Sequence, residues 1–379
     1  MNDMIKAERE KILSRKQTKI LFITGVILII AYFFLFQFNY SSVFYNYDTG
    51  KMDTVSGFAA IEQRKENADI FAGELTPEIL TLMEQKIAEA KTATDTKDEN
   101  SAFSALHVYR DQTAILEYMT EPDGKMQSIE EAYPNHKSVV LGYCDGWDKM
   151  LSSMGSILAI LLCLLVVITL SPVFSEEYAC HTDSVIYAAR YGKTKLVTAK
   201  IIASLETITA MYVIFLLLNF ILYMGIYGLQ GWNVNIQSSL HYATSTYNLT
   251  FLQMFLISVV CNILGIVAMT IITLFISAKL NTPVTALITS CVVCFLPVLF
   301  DFTESVPLLQ KLQEICPIFM LHMNGVFAKM KTYVGIQQPI IMLLFNMIVV
   351  ALFSLMIKNI VKKTSSHGIT KYKLINFEE

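Results

Sequence analysis

Charged residues are scarce in this sequence. Asp, Glu, Lys and Arg make up 16% of its 379 residues, where a soluble domain carries about a quarter. With 54% hydrophobic residues and a mean hydropathy of +0.49, much of the surface need not face water. The charges sit in blocks between long uncharged runs, so the net charge of −3 averages over opposite local balances. Of the seven cysteines, Cys163, Cys261, Cys291 and Cys294 fall in apolar runs, which argues against a disulfide scaffold. The CxxC spacing of Cys291 and Cys294 has no βαβ context and reads as helix packing. Whether Cys144 and Cys316 pair stays open.

Catalytic signatures are missing too. Gly192-Lys193-Thr194 supplies the last three positions of a phosphate-binding loop, but Tyr187 stands where the first glycine is required. A chain without that loop has no ATPase of its own. The six histidines (His107, His136, His181, His241, His322, His367) show neither HxxxH nor HxH spacing, so no metal site is expected. No GxSxG, HExxH or EF-hand pattern occurs. Paired acids and bases are missing from the apolar runs, which argues against a proton- or sodium-coupled carrier and against an intramembrane enzyme. The expectation is a non-catalytic chain. Asn39-Tyr-Ser41 and Asn248-Leu-Thr250 match the glycosylation pattern, which carries no meaning in a bacterial host.

What the sequence does have is length of apolar run. A spanning helix takes about 20 apolar residues, and six windows qualify: 20–38, 151–172, 201–228, 251–278, 283–300 and 338–357. The second is expected to stop at Ser171-Pro172, and the fifth is the shortest. The first follows a charged leader (1–19) and lacks a small-residue cleavage site, so it reads as a retained helix. Lys and Arg sort to one side of this arrangement. Lys6, Arg9, Lys11, Arg15, Lys16 and Lys19 stand in the leader, and Arg190, Lys193, Lys195 and Lys200 in the 173–200 loop. Lys279 stands in the fourth-to-fifth turn, and Lys358, Lys362, Lys363, Lys371 and Lys373 in the 358–379 tail. That side is expected to be cytoplasmic. The opposite side holds 39–150, where residues 39–149 carry 20 acids against 10 bases, the base-free 229–250 loop, and 301–337. The fold class expected is an all-α polytopic membrane protein with a mainly helical extracellular insert. In that insert Thr76-Pro77-Glu78 is a helix start, with a cap, a proline at the first position and an acid at the positive dipole end. Ile79, Met83 and Ile87 then recur on one face.

The 173–200 loop is amphipathic. Thr182 or Asp183 can cap a short helix, Val185, Ile186 and Ala189 make its apolar face, and Gly192 can end it with Lys193 and Lys195 near the negative end. Such a helix can fit a groove on a partner, and a loop that only sets topology is the other reading. The run Glu177…Thr182-Asp183…Tyr191-Gly192-Lys193…Lys200 resembles the first cytoplasmic loop of ABC-2 type permeases, particularly those of Gram-positive bacteria. His181 stands where that family usually has Gly before its Thr. The leader Glu8-Arg9-Glu10-Lys11-Ile12-Leu13 and the stretch Val306-Pro307-Leu308-Leu309…Cys316-Pro317 fit the family's amphipathic leader and its short half-helices between the fifth and sixth spans.

The resemblance implies an ABC-2 (type V exporter-like) permease fold in the plasma membrane with both termini cytoplasmic. It implies an exporter in which two permease chains, identical or sister, form the pathway. Two separate ABC ATPase subunits drive it, holding the ATP and Mg, while this chain binds no cofactor of its own and no nucleic acid. Glu177, Thr182, Asp183, Tyr191, Gly192 and Lys193 are then the mechanical contact with the ATPase. Glu206, Asn219, Asn262 and Asn346 are candidate pathway residues, with interfacial pairing or helix packing as the alternative for each. A rival reading is a membrane-anchored sensor or immunity protein whose extracellular domain binds a ligand.

Overall fold

The computed structural model describes residues 1–38, 41–46, 51–94, 108–299, 307–333 and 335–375. Asn39, His107, Phe300 and Val306, singled out from the sequence, lie outside the described residues. The order is α1 (Asn2–Ser14), α2 (Lys16–Gln37), β1 (Ser41–Asn46), β2 (Lys51–Ser56), α3 (Phe58–Asp69), β3 (Gly73–Glu74) and α4 (Pro77–Thr94). Then come α5 (Arg110–Met119), α6 (Ile129–Ala132), β4 (Val140–Leu141), α7 (Asp145–Ala179), α8 (Asp183–Ala188) and α9 (Lys195–Tyr227). The chain ends with α10 (Phe251–Lys279), α11 (Pro283–Leu299), α12 (Pro307–Glu314), a 3₁₀ turn (Pro317–Leu321), α13 (Met323–Ala328), β5 (Thr332–Tyr333), β6 (Ile336–Gln337) and α14 (Gln338–Ile375). The molecule is a mostly helical, multi-pass membrane protein. Five helices, α2, α7, α9, α10 and the Gln338–Val361 part of α14, are long and apolar enough to cross a membrane. At 17 residues, α11 is shorter than the usual ~20.

Helix α7 is the hub. Of its most apolar window 78% is buried, against 17% for α2 and 22% for α14, so those two form the rim. The helix differs from the expected second span at both ends. It starts at Asp145, and it runs through Ser171-Pro172 to Ala179. Proline removes an N–H and clashes with the preceding turn, which is why the sequence suggests a stop. Ser277 of α10 repairs the damage. Its hydroxyl donates to the Ser171 carbonyl at 2.6 Å and accepts from the Phe174 and Ser175 N–H groups at 3.0 and 3.2 Å. A neighbouring serine satisfying backbone groups freed by proline is a recognised solution inside a bilayer. Small residues set the helix spacing elsewhere. Gly25 of α2, for example, lies flat against the Phe215 ring of α9.

The insert between α2 and α7 folds on its own core of Phe71, Leu80, Met83, Ile115, Met119 and Tyr133, among others. Helix α4 begins where Thr76-Pro77-Glu78 predicts, and the Thr76 hydroxyl accepts from the Ile79 N–H at 3.4 Å. Helices dominate the insert, but β1 pairs with β2 and β3 with β4, both antiparallel. The 229–250 loop packs on this domain: Tyr133 Oη donates to the Ala243 carbonyl at 2.8 Å, and the Val140 N–H to Asn235 Oδ1 at 2.8 Å.

The segment between α11 and α14 goes deeper than a surface loop. Its 3₁₀ turn packs against Gly265, which lies 14 residues from each end of α10, or about 21 Å at 1.5 Å per residue. A Cβ on Gly265 would stand 2.9 Å from Met320 Cβ and 3.0 Å from the Pro317 carbonyl oxygen. The segment is re-entrant, and its irregular backbone is tolerated at that depth because protein surrounds it. Gly265→Val is expected to cost about 1–3 kcal/mol by overpacking. It should also raise the maleimide reactivity of Cys316, the residue that caps the 3₁₀ turn, in a variant lacking the other cysteines. Unchanged melting and labelling would show that the contact is soft.

Candidate functional site

A buried charge cluster joins three helix ends at the leader face. Glu177, in the last turn of α7, is 5% exposed, and Lys200, early in α9, is 2% exposed. Lys200 Nζ donates to Glu177 Oε1 at 2.6 Å and to Glu8 Oε2 at 3.1 Å. Lys11 Nζ reaches the same Glu177 oxygen at 2.7 Å. Arg15 pairs with Glu176 at 2.6 Å, and Arg9 with Glu206 at 3.4 Å. The leader can lie across the bundle in this way because Arg15 adopts an extended conformation between α1 and α2. That break turns the charged face of α1 onto α7 and α9. Glu8, Lys11 and Arg15 were not visible as site residues. Nothing in local spacing ties residue 8 to residue 177.

From this anchor the chain makes a tight turn into α8. The Cys180 N–H donates to the Glu176 carbonyl, and the Thr182 N–H to the Glu177 carbonyl at 3.0 Å. His181 has φ +56°, the sole positive φ outside glycine among the described residues. That conformation costs an L-residue roughly 1–2 kcal/mol. The Thr182 hydroxyl also bonds back to Glu177, at 3.3 Å, so it closes the turn and does not cap α8. Asp183 opens that helix, as the dipole favours. Val185 projects into solvent at 74% exposure, while Tyr187 turns inward, its hydroxyl 3.1 Å from that of Tyr178. Burial pushes the Tyr187 pKa up.

Gly192 does not end α8, which stops at Ala188. Its role is steric, since a Cβ there would collide with the Ile186 carbonyl. Tyr191 is stacked by the Lys195 ammonium, 4.1 Å from the ring centre, and Lys193 is half-buried.

The four candidate pathway residues do not converge. Glu206 is exposed and pairs with Arg9. Asn219 accepts from Ser153 Oγ at 2.9 Å and donates to the Met150 carbonyl at 3.4 Å, joining α9 to α7. Asn262, with its amide nitrogen turned toward Ser258 and Met320, donates to both carbonyls at 3.1 and 2.7 Å. Asn346 donates to the Ile315 carbonyl at 3.0 Å. All three amides are buried and donate to backbone carbonyls, while Asn346 Oδ1 has no hydrogen-bond partner among the described residues.

A second ionic cluster holds the insert to the far end of α7. Buried Arg64 bonds Asp111 at 2.7 Å and Asp145 at 2.9 Å, and His241 sits 3.0 Å from Asp148. His136 lies 3.2 Å from the Tyr247 carbonyl oxygen, and burial lowers its pKa. Among the described residues, no group of three or more His, Cys, Asp or Glu is placed to hold a metal, and all seven cysteines are free. Compared with known proteins, the chain matches no family model, no curated protein and no solved structure.

Two outcomes follow from this geometry. Lys200→Met strips Glu8 of its partner and leaves Glu177 with Lys11 alone, at an expected cost of about 3–5 kcal/mol. The double variant Glu177→Met/Lys200→Met is expected to recover part of it, read as melting temperature in detergent. A fully additive pair would show that the two side chains do not interact. The hydrogen bond and charge of Asp148 raise the His241 pKa, with Asp111 adding to the shift and Arg110 opposing it. A raised pKa means stabilisation that is complete below about pH 6.5, the unfolded value, and fades as pH rises through the folded one. The melting difference between wild type and His241→Gln should therefore shrink from about pH 5.5 to about pH 8. A difference that is flat with pH would rule out the ion pair.

Proposed function

We propose that the chain is the membrane-spanning subunit of an ATP-driven exporter of the ABC-2 permease type. In this reading α11 is a sixth span, at about 26 Å only slightly short of a ~30 Å hydrocarbon core. The leader face is cytoplasmic, and the insert lies outside the plasma membrane. Two such chains, identical or sister, form the pathway, and separate ATPase chains power it. The chain is non-catalytic, and ATP and Mg belong to its partners.

The observation that carries this reading is the mounting of α8. A six-residue helix with an exposed valine is a poor structural element by itself. It is fixed to two spanning helices by the buried Glu177–Lys200 pair and braced by the leader through Lys11. A rigidly held short helix with a large apolar residue facing solvent suits insertion into a cleft of another protein. Two details add support. The His181 backbone is left-handed at the position where the permease pattern has glycine, the residue that takes this conformation freely. The short helices between α11 and α14 lie where that pattern has half-helices.

The test is co-purification in detergent with candidate ATPase chains encoded next to this one. Wild type should retain the ATPase, Val185→Glu should lose it with an unchanged melting profile because that side chain faces solvent, and Gly192→Pro, whose Cβ would collide with the Ile186 carbonyl, should lose it with a clearly lowered one. Equal retention by every variant, or retention by none, would falsify the proposal. The latter result would favour a sensor whose working part is the insert.

A further inference from the structure

We propose that the insert carries a binding groove for a cationic amphipathic peptide, formed where the first turns of α4 face the Met126–Glu130 segment. An open cavity of about 610 Å³ lies between them. Its floor is apolar. Leu80 is buried, and Met126 and Ile129 are half-buried against the core of the insert. Its rim is acidic, with Glu84 on α4 and Glu130 on α6, both exposed. None of the nine lining residues is basic.

The charge around the groove points the same way. Residues 73–90 and 121–132 contain eight acids (Glu74, Glu78, Glu84, Glu89, Glu121, Asp123, Glu130 and Glu131) and two bases, Lys86 and Lys125. Lys86 already pairs with Glu89 at 3.0 Å. The positive ends of the two flanking helices are also already answered. Glu78 serves α4, its carboxyl held below the usual range by the Thr76 hydroxyl and its own N–H. Glu131 serves α6 through a capping box with Ser128. Glu84 and Glu130 have no such duty, and among the described residues neither makes an ion pair. Two unneutralised carboxylates across an apolar floor attract cations and repel nucleic acid and anionic lipid. Leu80, Met126 and Ile129 reward an apolar side chain that a simple polyamine lacks. The groove lies on the insert, and its binding does not depend on how the spans are used.

The experiment uses the full chain in phosphatidylcholine nanodiscs, with empty discs as the blank. The probe is a short fluorescein-labelled peptide of alternating lysine and leucine, read by anisotropy. The expected result is saturable binding that weakens with added salt. Glu84→Gln/Glu130→Gln should weaken it about tenfold, with melting unchanged because both side chains are exposed. Thr81→Arg, which places a base at the rim and leaves both carboxylates intact, should weaken it too. Absence of saturable binding, or equal affinity for wild type and both variants, would overturn the proposal. So would equally tight binding of a glutamate–leucine or a lysine–serine peptide.

Discussion

A carboxylate buried at the end of a membrane helix has to be neutralised, and Glu177 organises the leader face around that need. Removing such a charge from water costs several kcal/mol unless a cation and further donors come with it. Lys200 supplies the first cation and Lys11 the second. Glu8 then balances the excess positive charge on Lys200. These four groups come from three elements, Glu8 and Lys11 from α1, Glu177 from α7 and Lys200 from α9. Satisfying one carboxylate therefore fixes where α7 ends, where α9 begins and how α1 lies across both. The turn that launches α8 closes on the backbone carbonyl of the same glutamate. The position of α8 is thus a consequence of electrostatics deeper in the protein.

The opposite end of α7 repeats the arrangement with the signs of the partners kept. Asp145 is buried against Arg64 of the insert, and Asp148 accepts from His241 of the 229–250 loop. One helix of 35 residues, about 52 Å long, is clamped by ion clusters at both ends. Its one weak point is Pro172, and Ser277 stiffens it by taking up the freed backbone groups. The five-residue π-turn Met154–Leu158 is the other irregularity. It lies on the insert side of the helix middle, where Ser156 bonds back to the Ser152 carbonyl at 2.7 Å. No loop interrupts α7 between the insert and the turn carrying α8.

Much of this was legible in the sequence, for identifiable reasons. Apolar run length marks spanning helices directly, since the bilayer imposes it. The start of α4 was legible because capping chemistry is local. So was the helical leader, although not what it binds. Three features were not legible, and each depends on contacts remote in sequence. Ser171-Pro172 reads as a stop, and it continues only because a serine more than a hundred residues later satisfies its backbone. Gly192 reads as a helix terminator, yet its lack of a side chain serves the approach to Ile186. The acid–base pairs between the leader and the α7 and α9 ends join residues 8 to 200, and such pairing leaves no periodicity to find.

The polar residues inside the spans show best how local reading and tertiary structure diverge. An amide in a bilayer is a candidate pathway group by default, which placed Asn219, Asn262 and Asn346 together as a possible conduit. The re-entrant segment gives two of those amides, Asn262 and Asn346, a task of their own. A backbone that leaves helical geometry near the middle of a span exposes carbonyls with no water to satisfy them, at a cost of several kcal/mol each. Asn262 of α10 meets the Met320 carbonyl and Asn346 of α14 meets that of Ile315. One amide thus stands on each of two helices packed against the segment. Neutral side chains suit this role because they bring donors without a charge to bury. The polarity of α10 and α14 thus answers the depth of the re-entrant segment, while Asn219 serves the contact between α9 and α7.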